Sequence, residues 1–148
     1  MLYGSKQGGS TITQQLVKNV TGDKEQNMDR KMREIFRAAD LEKYRTKDEI
    51  LDAYLNCVGM GGSCSGVQAA ALKYFGKDVS ELDLAEAACL AAIPKSPESL
   101  NPFANKEANR ERQLLVLKAM YNNAAISKQQ YDDCLLYTSD AADDLLCV

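Results

Sequence analysis

Apolar residues recur at three- and four-residue spacing along most of the chain, and no stretch alternates as a half-buried strand does. The pattern predicts a chain of helices. Ser10, after Gly8 and Gly9, is placed to cap a helix from Thr11, with Ile12, Leu16 and Val17 along one side. A turn around Thr21, Gly22 and Asp23 ends it. The next helix is expected over 27–44, where Met28, Met32, Ile35, Phe36 and Ala39 recur as a buried side that Leu41 and Tyr44 extend. Thr46 and Glu49 form a capping-box pair, and Ile50, Leu51, Tyr54 and Leu55 follow as an apolar stripe.

The second half continues in the same manner. Residues 59–66, GMGGSCSG, are too glycine-rich for regular structure and predict a loop. A helix resumes at Val67 and stops after Phe75 at Gly76. Asp83 and Glu86 form a second capping box before AACLAAI, an all-round apolar run that must be buried. Pro94 ends that helix, and Pro97 and Pro102 hold the following segment extended or turned. A long helix is predicted from about Lys106 to Asn123, with Leu114, Leu117 and Met120 inward, and Ser127 to Gln130 caps a short last one. No domain boundary or internal repeat is visible. The tail LLYTSDAADDLLCV, residues 135–148, leaves this periodicity. It looks like translated sequencing-adapter read-through, with a native acidic terminus as the alternative, and is set aside from the fold.

Composition narrows the chemistry. At 148 residues, 45% hydrophobic and 26% charged, the chain suits one globular domain with a real core. Its net charge of -3 is carried by Asp140, Asp143 and Asp144 of the tail, so residues 1–134 balance and no overall basic surface exists. There is no histidine, and the five cysteines form no CxxC pair, which disfavours zinc sites and a Ser-His-Asp triad. Cys57 and Cys64 are close enough in sequence to pair, but the odd count argues against a disulfide framework. No apolar run is long enough to span a bilayer.

The unusual stretch is GGSTITQQLVKN, residues 8–19, whose polar side is Thr11, Gln14, Gln15, Lys18 and Asn19. Three uses fit it. It can be a capped helix whose polar face meets water. It can be a base-reading helix, since Gln and Asn pair with adenine edges and Lys18, Lys24, Arg30, Lys31, Arg33 and Arg37 supply local charge. It can also bind an anion and sugar hydroxyls, through free N–H groups at its start and its glutamine amides. The following helix places Glu34 four residues after Arg30 and three after Lys31, so a carboxylate sits among cations on one face. That is surface ion pairing, or a diphosphate site organised by a carboxylate, to which Lys47 could add charge. A concave cluster of Ser10, Gln14, Arg30, Lys31 and Glu34 is expected for the second, an exposed convex helix for nucleic-acid binding.

Together these segments resemble the peptidoglycan glycosyltransferases, the transglycosylase domain of bifunctional penicillin-binding proteins and their monofunctional relatives. GGSTITQQLVKN matches that family's second motif and Arg30, Lys31 and Glu34 its third, RKxxE. Lys47 to Asn56 matches the fourth and Arg112, Val116 and Leu117 the fifth, RxxxVL. GVQAA at 66–70, YFGK at 74–77 and PKSP at 94–97 fall between them in family order, and the likeness covers about residues 4–134.

The resemblance implies an all-α or mainly α, lysozyme-like domain that polymerises lipid-linked disaccharide-pentapeptide. The growing glycan strand, held by undecaprenyl diphosphate, is the donor, and the precursor's 4-hydroxyl attacks its anomeric carbon with inversion. By the same resemblance Ser10, Thr11, Gln14 and Gln15 shape the donor pocket, within a substrate-binding set that also takes in Lys18 and Asn19. Arg30 and Lys31 lie near the diphosphate, Glu34 is the second carboxylate, Lys47 and Asn56 support this shell, and Arg112 is structural. No cofactor is required, though a divalent cation, Mg or Mn, could accompany the diphosphate. Implied partners are the bacterial membrane surface and cell-wall synthesis proteins, with no nucleic acid, at the extracytoplasmic face of the cell membrane. The family's first motif, an acidic pair followed by Phe and His that supplies the general base, is not in MLYGSKQ. Residues 1–134 are therefore expected to be an N-terminally truncated, inactive domain. Gly59 stands where the family commonly has Tyr, which leaves the shape of that loop open.

Overall fold

The computed structural model describes residues 9–22 and 27–140, with side chains as far as Leu136. The expectations for residues 1–8, Asp23, Lys24 and the end of the tail lie outside the described residues. Among the described residues seven α-helices follow in order: α1 Ile12–Thr21, α2 Met28–Tyr44, α3 Lys47–Cys57, α4 Val67–Phe75, α5 Leu84–Ala92, α6 Lys106–Asn122 and α7 Lys128–Asp140. Among the described residues there is no strand, only an isolated bridge between Gly59 and Ser65. The mainly α expectation holds. No described helix is long and apolar enough to cross a membrane. The chain falls into two compact units, residues 1–57 and 58–148.

In the first unit α1 packs against α2 and α3. Its core is small, comprising Leu16 and Val17 of α1, Ala38 of α2 and Ile50 of α3. Thr46 and Glu49 close the expected capping box, Thr46 Oγ1 accepting from Glu49 N–H at 3.2 Å and Glu49 Oε2 accepting from Thr46 N–H at 2.9 Å. Two expectations fail here. Thr11, not Ser10, is the N-cap of α1, its side chain accepting from Gln14 N–H at 3.2 Å. And α2 is turned the other way round from its apolar stripe: Met28, Met32, Ile35, Phe36, Ala39 and Tyr44 are all exposed, as is Ile12 on α1. Its inward residues are Arg30, Lys31, Glu34, Ala38 and Leu41, which share the same helical spacing in a different phase. A charged cluster that satisfies itself can take the inward face, and Ala38 lets the neighbouring helix approach closely.

The second unit has the larger core. Asp83 caps α5, with the reciprocal bond from Glu86 in place, and Ala85, Ala88, Cys89, Leu90 and Ala92 bury as the apolar run requires. Helix α6 lies along α5 and brings Leu117, fully buried, against Ala85, Ala88, Ile126 and Cys134. Two polar residues of α6 share this buried side. Gln113 Nε2 donates to Ala85 O at 2.7 Å, and Asn109 Nδ2 donates to Leu100 O at 2.7 Å while its Oδ1 accepts from Cys89 Sγ at 2.9 Å. The side chain of Ser127 caps the segment leading into α7, accepting from Gln130 N–H at 3.1 Å.

The glycine-rich loop is held by α4 from below. Tyr74 Oη donates to Met60 O at 2.7 Å and Lys73 Nζ to Gly62 O at 2.7 Å. Met60 is itself buried, giving this loop an apolar anchor without an aromatic ring at Gly59. Gly61 has φ +78°, and a Cβ there would stand 2.3 Å from Pro97 O, so only glycine fits. Cys57 and Cys64 are both free thiols.

Candidate functional site

The site is assembled in the first unit from the start of α1 and the first two turns of α2. Asn27 caps α2, accepting from Arg30 N–H at 2.7 Å, and so fixes where the helix that carries Arg30, Lys31 and Glu34 begins. Glu34 is 5% exposed and binds a different cation with each oxygen. Its Oε2 accepts from Arg30 Nη1 at 2.7 Å, and its Oε1 accepts from Lys31 Nζ. Lys31 Nζ also donates to Ser10 Oγ at 2.9 Å and to Gln14 Oε1 at 3.1 Å. An ammonium has three N–H donors, and these three acceptors take all of them. Lys31 is thus a fixed point charge. Arg30 differs: its Nε is buried and has no hydrogen-bond partner.

Ser10 can do this because Thr11 has taken over the cap. A side chain one residue outside the helix is free to reach across to α2. The other expected residues are distributed around the cluster. Lys18 joins Arg30, Glu34 and Arg37 around a narrow cavity of about 10 Å³, with Val17 and Thr21 as its apolar and hydroxyl walls. That space holds one water at most. Arg37 follows Arg30 by seven residues, two helical turns, and that spacing is the signal that could have placed it here. Asn19 Nδ2 lies 4.0 Å from Cys57 Sγ on α3. Gln15 is half-buried.

Thr11 and Lys47 border a different, wider concavity of about 530 Å³, lined also by Ile12, Thr13, Glu42, Arg45 and Leu51. There Thr13 Oγ1 donates to Glu42, an inter-helix bond that nothing in the spacing announced. Asn56 does not reach the cluster; its amide returns to its own helix, donating to Asp52 O at 2.9 Å. Tyr54 lies near the end of α3, and burial, with Cys57 adding to it, pushes its hydroxyl above the usual phenol range. Arg112 belongs to the second unit, at the wall of a separate concavity, with a buried Nε that has no partner.

The arrangement is a cluster of charges held in a fixed frame. Glu34 offsets one of two cations, leaving a net positive charge beside the polar face of α1.

Comparison with known proteins decides the family. A family model described as Transglycosylase matches residues 2–121. The chain belongs to the transglycosylase family. It is 46% identical over 129 residues to penicillin-binding protein 1A of Aquifex aeolicus, covering 87% of this chain and 18% of that protein. To penicillin-binding protein 1A of Haemophilus influenzae it is 43% identical over 132 residues, 89% of this chain and 16% of that one. The crystal structure of the Haemophilus influenzae protein superposes with a TM-score of 0.59 at 30% identity, over 90% of this chain and 17% of that chain. The transglycosylase-family chain thus spans less than a fifth of the length of these two relatives.

Proposed function

We propose that the chain is the donor-side part of a peptidoglycan glycosyltransferase. It acts on lipid-linked disaccharide-pentapeptide and the growing glycan strand, and works at the extracytoplasmic face of the bacterial cell membrane alongside other cell-wall synthesis proteins. Family membership supports the reaction class. The single observation that carries the finer reading is Glu34 clamped by Arg30 and Lys31, with Lys31 tied to Ser10 and Gln14.

In the proposed reaction the 4-hydroxyl oxygen of one precursor attacks the anomeric carbon of the strand from the side opposite its diphosphate. The new C–O bond forms as the bond to diphosphate oxygen breaks, and undecaprenyl diphosphate leaves with that electron pair. Inversion follows from the opposed approach. The hydroxyl proton passes to a general base. Both Glu34 oxygens already accept from cations, so Glu34 serves as the organiser of the leaving-group end and not as that base. The family's first motif, which supplies the base, does not occur in residues 1–148, so this chain by itself is expected not to polymerise.

Charge developing on the leaving diphosphate is met by Arg30, whose guanidinium gives Glu34 only one of its five N–H donors. Lys31 adds its field without giving up a hydrogen bond. Preorganised charge of this kind costs no reorganisation as the bond breaks. No three of His, Cys, Asp and Glu gather among the described residues to hold a metal.

The test is binding of a polyprenyl diphosphate to the 148-residue chain by calorimetry. Binding is expected, and Glu34→Gln should weaken it at least about tenfold with little change in the far-UV spectrum. Equal affinity of Glu34→Gln and the unaltered chain would sink this reading. In a chain that also carries the first motif, Glu34→Gln should lower polymerisation by about 100-fold or more, read as glycan product on gels.

A further inference from the structure

A second polar site lies in the other unit, where the end of α5 turns through Ile93–Lys95 towards α6. It is a concavity of about 370 Å³ whose walls include Lys95, Ser96, Ser99, Glu111, Arg112 and Leu115. Its chemistry is specific in three respects. Arg112 lines the concavity, and its Nε–H, shut off from solvent, meets no protein acceptor, so part of the donor set of a guanidinium that stays charged at any ordinary pH is unsatisfied within the fold. Lys95 stands beside it as a second, exposed cation, while the Glu111 carboxylate subtracts one charge from the rim. The net charge matches a monoanion. Finally, Leu100, Ala108 and Leu115 supply apolar lining, and Leu115 is itself more than half exposed. The hydroxyls of Ser96 and Ser99 are hydrogen-bonded to each other at 2.5 Å, which leaves one O–H of the two to donate to an oxyanion.

We propose that this concavity binds a carboxylate carried on a small apolar group, either a free acid or the C-terminus of a peptide ending in an apolar residue. The carboxylate accepts from Arg112 and lies against Lys95, and the apolar part covers Leu100 and Leu115. The volume falls at the lower end of those that enclose small ligands, enough for one or two residues of a peptide. Glu111 disfavours a doubly charged phosphate, which would meet a like charge at the rim. This site uses none of the residues of the Lys31–Glu34 cluster, so its fate and that of the glycosyltransferase reading are independent.

The experiment follows the Arg112 Nε–H resonance of the ¹⁵N-labelled 148-residue chain during titration. N-acetyl-leucine should give a saturable shift, and acetyl-Ala-Ala-Leu one of similar or higher affinity. N-acetyl-leucinamide, which lacks the charge, should bind at least about tenfold more weakly. Tighter saturation by the peptide would identify a C-terminus as the occupant, and saturation by N-acetyl-leucine at equal affinity would show that the terminal residue alone is read. Lys95→Gln should weaken either about fivefold or more, and Leu115→Asp should abolish the shift through like charge while leaving Arg112 in place. No saturation by either acid below about 10 mM, equal binding of the amide, or tighter binding of inorganic phosphate than of N-acetyl-leucine would each overturn the proposal.

Discussion

Lys31 and Arg30 sit next to each other in the same motif, yet their hydrogen bonding assigns them different work. Lys31 spends three donors on Ser10, Gln14 and Glu34, so it holds α1 and α2 in register. Arg30 gives one bond to Glu34 and keeps others. Lys31→Gln is therefore expected to lower the melting temperature by several degrees, since it strips a buried carboxylate of a charged partner. Arg30→Lys should leave the melting temperature nearly unchanged but weaken polyprenyl diphosphate binding about tenfold, because an ammonium cannot reproduce the forked donor set. Thermal melts and calorimetry on the two variants separate these roles, and the reverse pattern would contradict them. Cys89 makes a second residue-level case. Burial, and secondly Glu86, pushes its thiol up from 9.0 to about 12. Below pH 9 the thiol is neutral whether the chain is folded or not. Above it the unfolded chain ionises first, so this contribution to stability is lost as pH rises through that window. Native Cys89 should resist alkylation at pH 8 and react only once the chain is unfolded, as mass spectrometry would show.

At the scale of elements, the helices behave as their caps and stops direct, but one helix turns a different face inward from the one its apolar residues suggest. Phe36 is 67% exposed on α2 and Leu117 fully buried on α6. Phe36→Ser should thus change stability by no more than about 0.5 kcal/mol, whereas Leu117→Ala should cost about 2–5 kcal/mol. Denaturant melts of both variants decide it. A loss above that range for Phe36→Ser would mean that the stripe is covered after all. The N-terminus of α1 carries a comparable contrast. Thr11→Ala removes the cap and should cost about 1 kcal/mol, while Ser10→Ala leaves the helix capped and acts only on Lys31.

For the whole molecule, the two units differ in how much they bury. Residues 1–57 rest on Leu16, Val17, Ala38 and Ile50 plus a polar cluster, whereas residues 58–148 bury most of α5 with Tyr74, Phe75, Met60, Ile93 and Leu117. Hydrophobic stabilisation scales with apolar area removed from water, so amide exchange should be slowest in α5 and α6 and clearly faster in α1 and α2. Comparable protection in both units would show that the Lys31–Glu34 network substitutes for apolar burial.

Local chemistry was legible from residues alone. Capping boxes at Thr46 and Asp83, the stops at Gly76 and Pro94, the apolar run of α5 and the glycine-rich loop are dictated by backbone sterics and short-range hydrogen bonds, which act within a few residues. The motif residues Ser10, Gln14, Arg30, Lys31 and Glu34 were visible as a set for the same reason, being dense in donors and charge on short helical spacings. What periodicity could not give was the phase of α2, because two faces of that helix carry the same 3.6-residue repeat and only the neighbour decides which is buried. Nor could it tell Ser10 from Thr11 as the cap, when both have a hydroxyl one residue apart. Thr13 with Glu42, Asn109 with Cys89 and Gln113 with Ala85 join residues 20 or more positions apart. The sequence by itself determined the order and approximate extent of the helices and the family to which the chain belongs. Which side chains meet, and hence that Lys31 has all three donors taken while Arg30 gives one bond to Glu34, was decided only by tertiary packing, since contacts between distant residues depend on how whole helices seat against one another.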